Sequence, residues 1–155
     1  MLLKGEKAED FSLFGSDLKE YKLNEYLGKK VVLVFYPGAF TSVCQKELCT
    51  FRDSLANFES MNAVILGISM DSPFANKAFK EQNSLSFQLL SDVAGEVSRK
   101  YGGVHQDFSG VKGLVVSKRA VFIVNRDSKI AYTWVSDDPR VEPDYTEIAN
   151  QLKRI

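Results

Sequence analysis

Apolar residues along this chain follow two rhythms. Val31-Val32-Leu33-Val34-Phe35-Tyr36 and Ala63-Val64-Ile65-Leu66-Gly67-Ile68-Ser69 are nearly unbroken runs of β-branched, aliphatic and aromatic side chains. That is the pattern of strands covered on both faces. The first run is stopped by Pro37-Gly38. Between the runs, Leu48, Phe51, Leu55 and Phe58 recur at spacings of three and four, one face of a 3.6-residue period, which predicts a helix over 42–60. Ser72 followed by Pro73 reads as an N-cap and first helical turn, opening a second helix to about residue 82. A short strand is expected over 87–90 and a short helix over 94–101, ended by Gly102-Gly103. Residues 104–118 read as loop.

Two further strands, 120–124 and 130–135, flank Asn125-Arg126-Asp127-Ser128 and form a hairpin. At the start, 11–14 and 18–23 flank the turn cluster Gly15-Ser16-Asp17, a second hairpin. Residues 1–10 are a polar extended arm, and 24–30 a helical turn or loop. A last helix starts at Pro143-Asp144 and runs to 155. Strands alternating with helices imply crossovers and a partly parallel sheet, and the late hairpin adds antiparallel strands. The expected architecture is α/β, a mixed central sheet with helices on both faces. The 155 residues suit one domain, 1–155.

Charge narrows the function. Lys+Arg 20 balances Asp+Glu 20, whereas a protein that binds nucleic acid through phosphates carries a basic excess. No apolar run approaches the roughly 18 residues of a membrane span. Met1-Leu2-Leu3-Lys4-Gly5-Glu6-Lys7 lacks the apolar core of a secretory signal. The expectation is a cytoplasmic protein with no nucleic-acid or membrane partner. Two cysteines do not make a disulfide framework, and a close pair in a reducing compartment points to redox work or metal. Metal is the weaker option, because two thiols and the single, distant His105 fall short of four ligands. Neither metal nor cofactor is expected, and His105 is read as a surface residue.

Both cysteines lie in Tyr36–Cys49, the junction of the first buried strand and the first helix. Cys44 sits four residues before Leu48, near the centre of the apolar face, so it is directed inward. Ser42-Val43-Cys44-Gln45 fits a capping box with Ser42 at the N-cap. Cys44 then falls in the first turn, beside unpaired N–H groups and the positive end of the helix dipole, which favour thiolate over thiol. The bland reading is a buried structural cysteine. Cys49 is roughly 140° round the helix, off the core face. In an intact helix the two Cα atoms are roughly 8.7 Å apart, and a disulfide needs about 7 Å or less. If the two cysteines bond, the first turns must unwind. The bland reading of Cys49 is a spectator thiol.

Pro37-(x3)-Thr41-(x2)-Cys44, set in Phe-Tyr-Pro-Gly-Ala-Phe-Thr, resembles the active-site motif of the peroxiredoxins, thiol peroxidases on a thioredoxin-like fold. Asp10-Phe11-Ser12-Leu13 resembles their N-terminal hairpin, and Lys118 to Val124 the strand that carries their catalytic arginine. A second thiol five residues on is the arrangement of the bacterioferritin comigratory protein (PrxQ-like) subfamily. Ser42-Val43 depart from that subfamily's usual Pro-Gly, and Gly-Ala-Phe-Thr looks more like the peroxiredoxin-5 or AhpE-like branch.

The resemblance implies that Cys44 reduces hydrogen peroxide and organic hydroperoxides and becomes a sulfenic acid. Cys49 then condenses with it, and thioredoxin or a similar dithiol reduces the disulfide. It implies that Arg119 holds the developing charge, that Thr41 hydrogen-bonds the peroxide, and that the N–H groups of Val43 and Cys44 complete the cradle. Pro37 would shield the sulfur and Glu47 would orient the arginine. Thr41, Pro37 and Arg119 each have a bland role as loop, strand-terminating and surface residues, and only their joint occurrence with Cys44 lifts them. A peroxide sensor passing oxidation to a partner, a one-cysteine peroxidase and a non-catalytic interaction module are the competing readings. The chain is expected to be a monomer or homodimer.

Overall fold

The computed structural model describes residues 1–155. Its elements run β1 (Ser12–Gly15), β2 (Glu20–Lys22), β3 (Lys30–Phe35), α1 (Ser42–Ser60), β4 (Ala63–Ser69), α2 (Pro73–Gln82), β5 (Gln88–Ser91), α3 (Glu96–Lys100), β6 (Val104–His105), β7 (Val116–Ser117), β8 (Arg119–Val124), β9 (Ile130–Ser136) and α4 (Tyr145–Arg154). One 3₁₀ turn, Leu23–Tyr26, begins at the last residue of the strand expected over 18–23 and runs into the stretch expected to be turn or loop, and a second spans Phe108–Gly110. Seven strands form one sheet in the order β2-β1-β5-β4-β3-β8-β9. β3, β4 and β5 are parallel to one another, and every other pairing is antiparallel.

Alternation along the strands sorts the core into two layers. Val32, Val34 and Tyr36 of the β3 run share one face with Val121 and Ile123 of β8. That face is covered by Cys44, Leu48, Phe51 and Phe58 of α1, Phe79 of α2, and Ile148 and Leu152 of α4. Val31, Leu33 and Phe35 point the other way, to Phe11, Val97, Tyr101 and Phe122. Each fully buried aliphatic side chain here contributes about 1.5–3 kcal/mol by leaving water. Gly67 of β4 lies where the Tyr36 ring crosses the sheet. A Cβ there would come within 2.6 Å of Leu89 Cδ2 and 3.4 Å of Tyr36 Cε1, so no larger residue fits without displacement.

Three local expectations change. The helix begins with Thr41 as its N-cap, so Ser42 is the first helical residue and the capping box does not form. Phe40 takes a left-handed φ of 64°. The chain reverses there, and the Thr41 hydroxyl donates back to the Gly38 carbonyl at 2.8 Å instead of capping α1. Residues 104–118 are not all loop, because β6 and β7 pair antiparallel. Two-residue strands are too short to leave a period-2 signal. His105, on β6, is half-buried and not a surface residue, with its ring 5.6 Å from that of Phe108 and its Nε2 enclosed without a partner. Burial and the nearby Lys118 push its pKa down.

Candidate active site

β3 delivers the chain to the C-terminal edge of the parallel strands, where open α/β sheets place their sites. Pro37, buried, ends the strand. The turn that follows is held from below. The Ala39 N–H donates to Asp71 Oδ2 at 2.8 Å, and the same oxygen accepts from Ser69 Oγ at 2.8 Å. Ser69 is linked to buried Asn76, whose Oδ1 accepts from the Tyr36 hydroxyl at 2.6 Å and whose Nδ2 donates to Ser91 Oγ at 3.1 Å. From above, the Phe40 ring meets Phe79 edge-on at 5.3 Å. The result is a fixed entry into α1. Val43 and Cys44 are the second and third helical residues, so their N–H groups have no helical carbonyl to bond.

Cys44 is fully buried, one turn before Leu48, as its place on the apolar face requires. Arg119 opens β8 on the same parity as Val121 and Ile123, which aims it at the α1 face. Its Nη2 donates to Cys44 Sγ at 3.1 Å. Nη1 donates to Glu47 Oε1 at 2.8 Å. Nε and Nη2 donate to the Pro139 carbonyl at 3.1 and 2.9 Å. The guanidinium is 1% exposed and Glu47 is 0% exposed, so this is a buried ion pair clasping a sulfur.

Burial pushes the Glu47 carboxyl up to about 7, against the opposing pull of Arg119. Its Oε2 is enclosed without a hydrogen-bond partner. Burial also works against the charge on Arg119, but Glu47 and Cys44 outweigh it and hold the guanidinium above the ordinary arginine range. The Cys44 sulfur therefore faces a charged hydrogen-bond donor inside the protein.

Of the residues named from sequence, Pro37, Thr41, Val43, Cys44, Glu47 and Arg119 converge on this one junction. Thr41 is exposed at its mouth, its hydroxyl tied to Gly38 as donor and open as acceptor. Cys49 does not join them. It is half-buried on another side of α1, a free thiol with Sγ 3.7 Å from Asn83 Oδ1. α1 is continuous through both cysteines. The acceptor that takes two of the Arg119 bonds, the Pro139 carbonyl, has no side-chain signature, and Asp137-Asp138-Pro139 reads only as a break. The Asp71–Ser69–Asn76 support was also missed, although polar residues clustered at the end of a buried strand were a usable sign. A crevice of about 400 Å³ lined by Tyr26, Lys29 and Glu59 lies at the opposite end of the sheet, away from Cys44.

Residues 4–133 match the model of the AhpC/TSA family. Over 130 residues the chain is 34% identical to peroxiredoxin Bcp of Bacillus subtilis, covering 84% of this chain and 83% of that protein. The crystal structure of the peroxidoxin BcpB from Mycobacterium tuberculosis superposes with a TM-score of 0.86 at 30% identity, over 100% of this chain and 99% of that one. A cysteine-to-serine mutant of PrxQ from Xylella fastidiosa shares the fold, with a TM-score of 0.87 at 24% identity over 99% of this chain and 97% of that one.

Proposed function

Since this chain belongs to the AhpC/TSA family and is a peroxiredoxin, a thiol-dependent peroxidase of thioredoxin-like fold, we propose that Cys44 is its attacking thiol and Cys49 its resolving thiol. The observation that carries the assignment of Cys44 is the 3.1 Å hydrogen bond from Arg119 to its sulfur, on a guanidinium that Glu47 and Pro139 hold in place.

The Cys44 thiolate attacks the terminal oxygen of a peroxide. The O–O bond breaks, sulfur takes the hydroxyl as sulfenic acid, and the other oxygen leaves with a proton as water or an alcohol. Charge spreads over sulfur and two oxygens in the transition state. Four of Arg119's five N–H contacts to its surroundings are occupied, and one N–H on Nη1 is left to meet that charge. Thr41 accepts from the peroxide at the mouth of the site, the N–H groups of Val43 and Cys44 donate to it, and Pro37 keeps water from the sulfur.

Cys49 then attacks the sulfenic sulfur, the hydroxyl leaves as water, and a Cys44–Cys49 disulfide results. Peroxiredoxins as a family use thioredoxin-like dithiols, and thioredoxin or a similar donor is the proposed reductant here, by thiol–disulfide exchange. Hydrogen peroxide and organic hydroperoxides are the proposed substrates. The reading takes residues 1–155 as one domain acting in the cytoplasm as monomer or homodimer. No helix is long and apolar enough to cross a membrane.

One observation favours a second reading. Cys49 rests on Asn83 in an unbroken helix, which suits a one-cysteine peroxidase in which Cys49 is a spectator. The test of the main assignment is peroxide consumption with a dithiol donor. Wild type consumes peroxide and Cys44→Ser does not. Equal rates in the two proteins would remove Cys44 from the chemistry.

A further inference from the structure

Cys49 has neighbours that the peroxidase chemistry does not use. Asn83, the residue that closes α2, is 7% exposed. Its Nδ2 donates to the Phe79 carbonyl at 3.0 Å, which turns Oδ1 toward Cys49 Sγ. Its own carbonyl is one of the orphans at a helix C-terminus, and it accepts from Nη1 of Arg52 at 2.6 Å. Cys49 and Arg52 are three residues apart on α1, so they project from one face. Both therefore meet the same residue at the end of α2.

Bringing Cys44 and Cys49 within bonding distance requires the turns that contain them to unwind, because an intact helix holds their Cα atoms roughly 8.7 Å apart. Unwinding 42–49 strips the carbonyls that accept the next helical turn's N–H groups. Leu48's carbonyl, the α-helical acceptor for Arg52, is among them. Arg52 thus stands at the edge of the segment that must open, and its side chain ties that edge to α2.

We infer that Arg52 and Asn83 form a latch that seats reduced Cys49 against α2 and restrains α1 from opening, making both residues positioning residues for disulfide formation. The inference rests on reading Cys49 as the resolving thiol. The latch decides between two fates of the Cys44 sulfenic acid. In one, the Cys49 sulfur attacks, the S–O bond breaks and water leaves. In the other, a second peroxide transfers one oxygen to the sulfenic sulfur, giving sulfinic acid and water or an alcohol. The first is intramolecular and limited by opening, and the second rises with peroxide concentration.

The test measures, by intact mass on the full chain with a dithiol donor, the hydrogen peroxide concentration at which half the protein becomes sulfinic. Arg52→Met keeps an unbranched apolar stem and removes the guanidinium donors, while Arg52→Lys keeps the charge and loses the fork. Arg52→Met is expected to raise the midpoint about tenfold, from the size of one charge-assisted hydrogen bond. The rate at which the first peroxide oxidises Cys44 stays unchanged. Asn83→Ala keeps the main-chain carbonyl that Arg52 binds but frees Cys49 from its seat, so it moves the midpoint the same way and carries the test of that arm should Arg52→Met not fold. Unchanged midpoints overturn the latch. A lowered midpoint in Arg52→Met with Arg52→Lys like wild type also overturns it, because Arg52 would then be activating the Cys49 thiolate by charge. A wild type that gains oxygen and never loses two hydrogens removes Cys49 from the cycle, and the latch with it.

Discussion

Arg119 reaches Cys44, Glu47 and Pro139 through one planar group, and no other side chain could make those contacts together. Arg119→Met should slow the reaction of Cys44 with peroxide by about 10²–10³-fold, the usual cost of removing a donor from developing negative charge. Arg119→Lys should recover little of it, since an ammonium on a flexible stem does not reproduce the fork. Stopped-flow measurement of the first oxidation step checks both. Glu47 supplies a pH signature. Its pKa is raised by burial from 4.5 to about 7 in the folded protein. Below about 4.5 it is protonated in folded and unfolded chains alike, and its stabilising contribution is complete. As pH rises toward 7 the unfolded chain releases the proton and the folded chain keeps it, so stability falls. Urea unfolding should show wild type losing on the order of 1 kcal/mol per pH unit in that window, a slope absent from Glu47→Gln. Cys44 and Arg119 were legible as candidates because each belongs to a motif. The Pro139 carbonyl was not, because a backbone acceptor is chosen by where a loop passes and not by residue type.

At the scale of elements, the entry to α1 matters most. The helix over 42–60 was legible because Leu48, Phe51, Leu55 and Phe58 recur at helical spacing, three of them buried and Leu55 half-buried against the same core. The cap was not, because Ser42 is the better capping residue by type and Thr41, which precedes it, takes the position without a side-chain cap bond. The backbone at Phe40, left-handed and braced on Phe79, decided between them. The Asp71–Ser69–Asn76–Tyr36 network beneath the turn is a set of buried polar groups that satisfy one another. Asn76→Ala strands Tyr36, Ser69 and Ser91 and should lower stability by about 2–3 kcal/mol. Tyr36→Phe removes a hydroxyl and leaves a single acceptor short, at about 1–2 kcal/mol. Chemical denaturation gives both values, and equal costs for the two would argue against Asn76 as the hub.

Across the whole molecule, the class of fold was legible from the order of rhythms. Two continuous apolar runs joined by an amphipathic helix leave parallel β3 and β4 as the natural solution, and the hairpin over 120–135 had to add antiparallel strands. The sheet's internal order was not legible, since nothing local tells β1 to pair with β5 or β8 to lie beside β3. That order carries the site, because it sets Arg119 of β8 next to Cys44 across more than seventy residues. The β6–β7 pair and the enclosed His105 escaped for the opposite reason, being too short to leave a pattern. The fold also sets a conflict. It holds Cys44 and Cys49 apart on one continuous helix, while the proposed cycle joins them, so α1 must open and close at each turnover. Intact mass after one equivalent of peroxide tests that most directly. The proposed cycle predicts that wild type loses two hydrogens and runs as a single chain on a non-reducing gel, that Cys49→Ser gains one oxygen, and that Cys44→Ser is unchanged. A wild type that gains oxygen without losing hydrogen, or that links into a disulfide-bonded dimer, would contradict it.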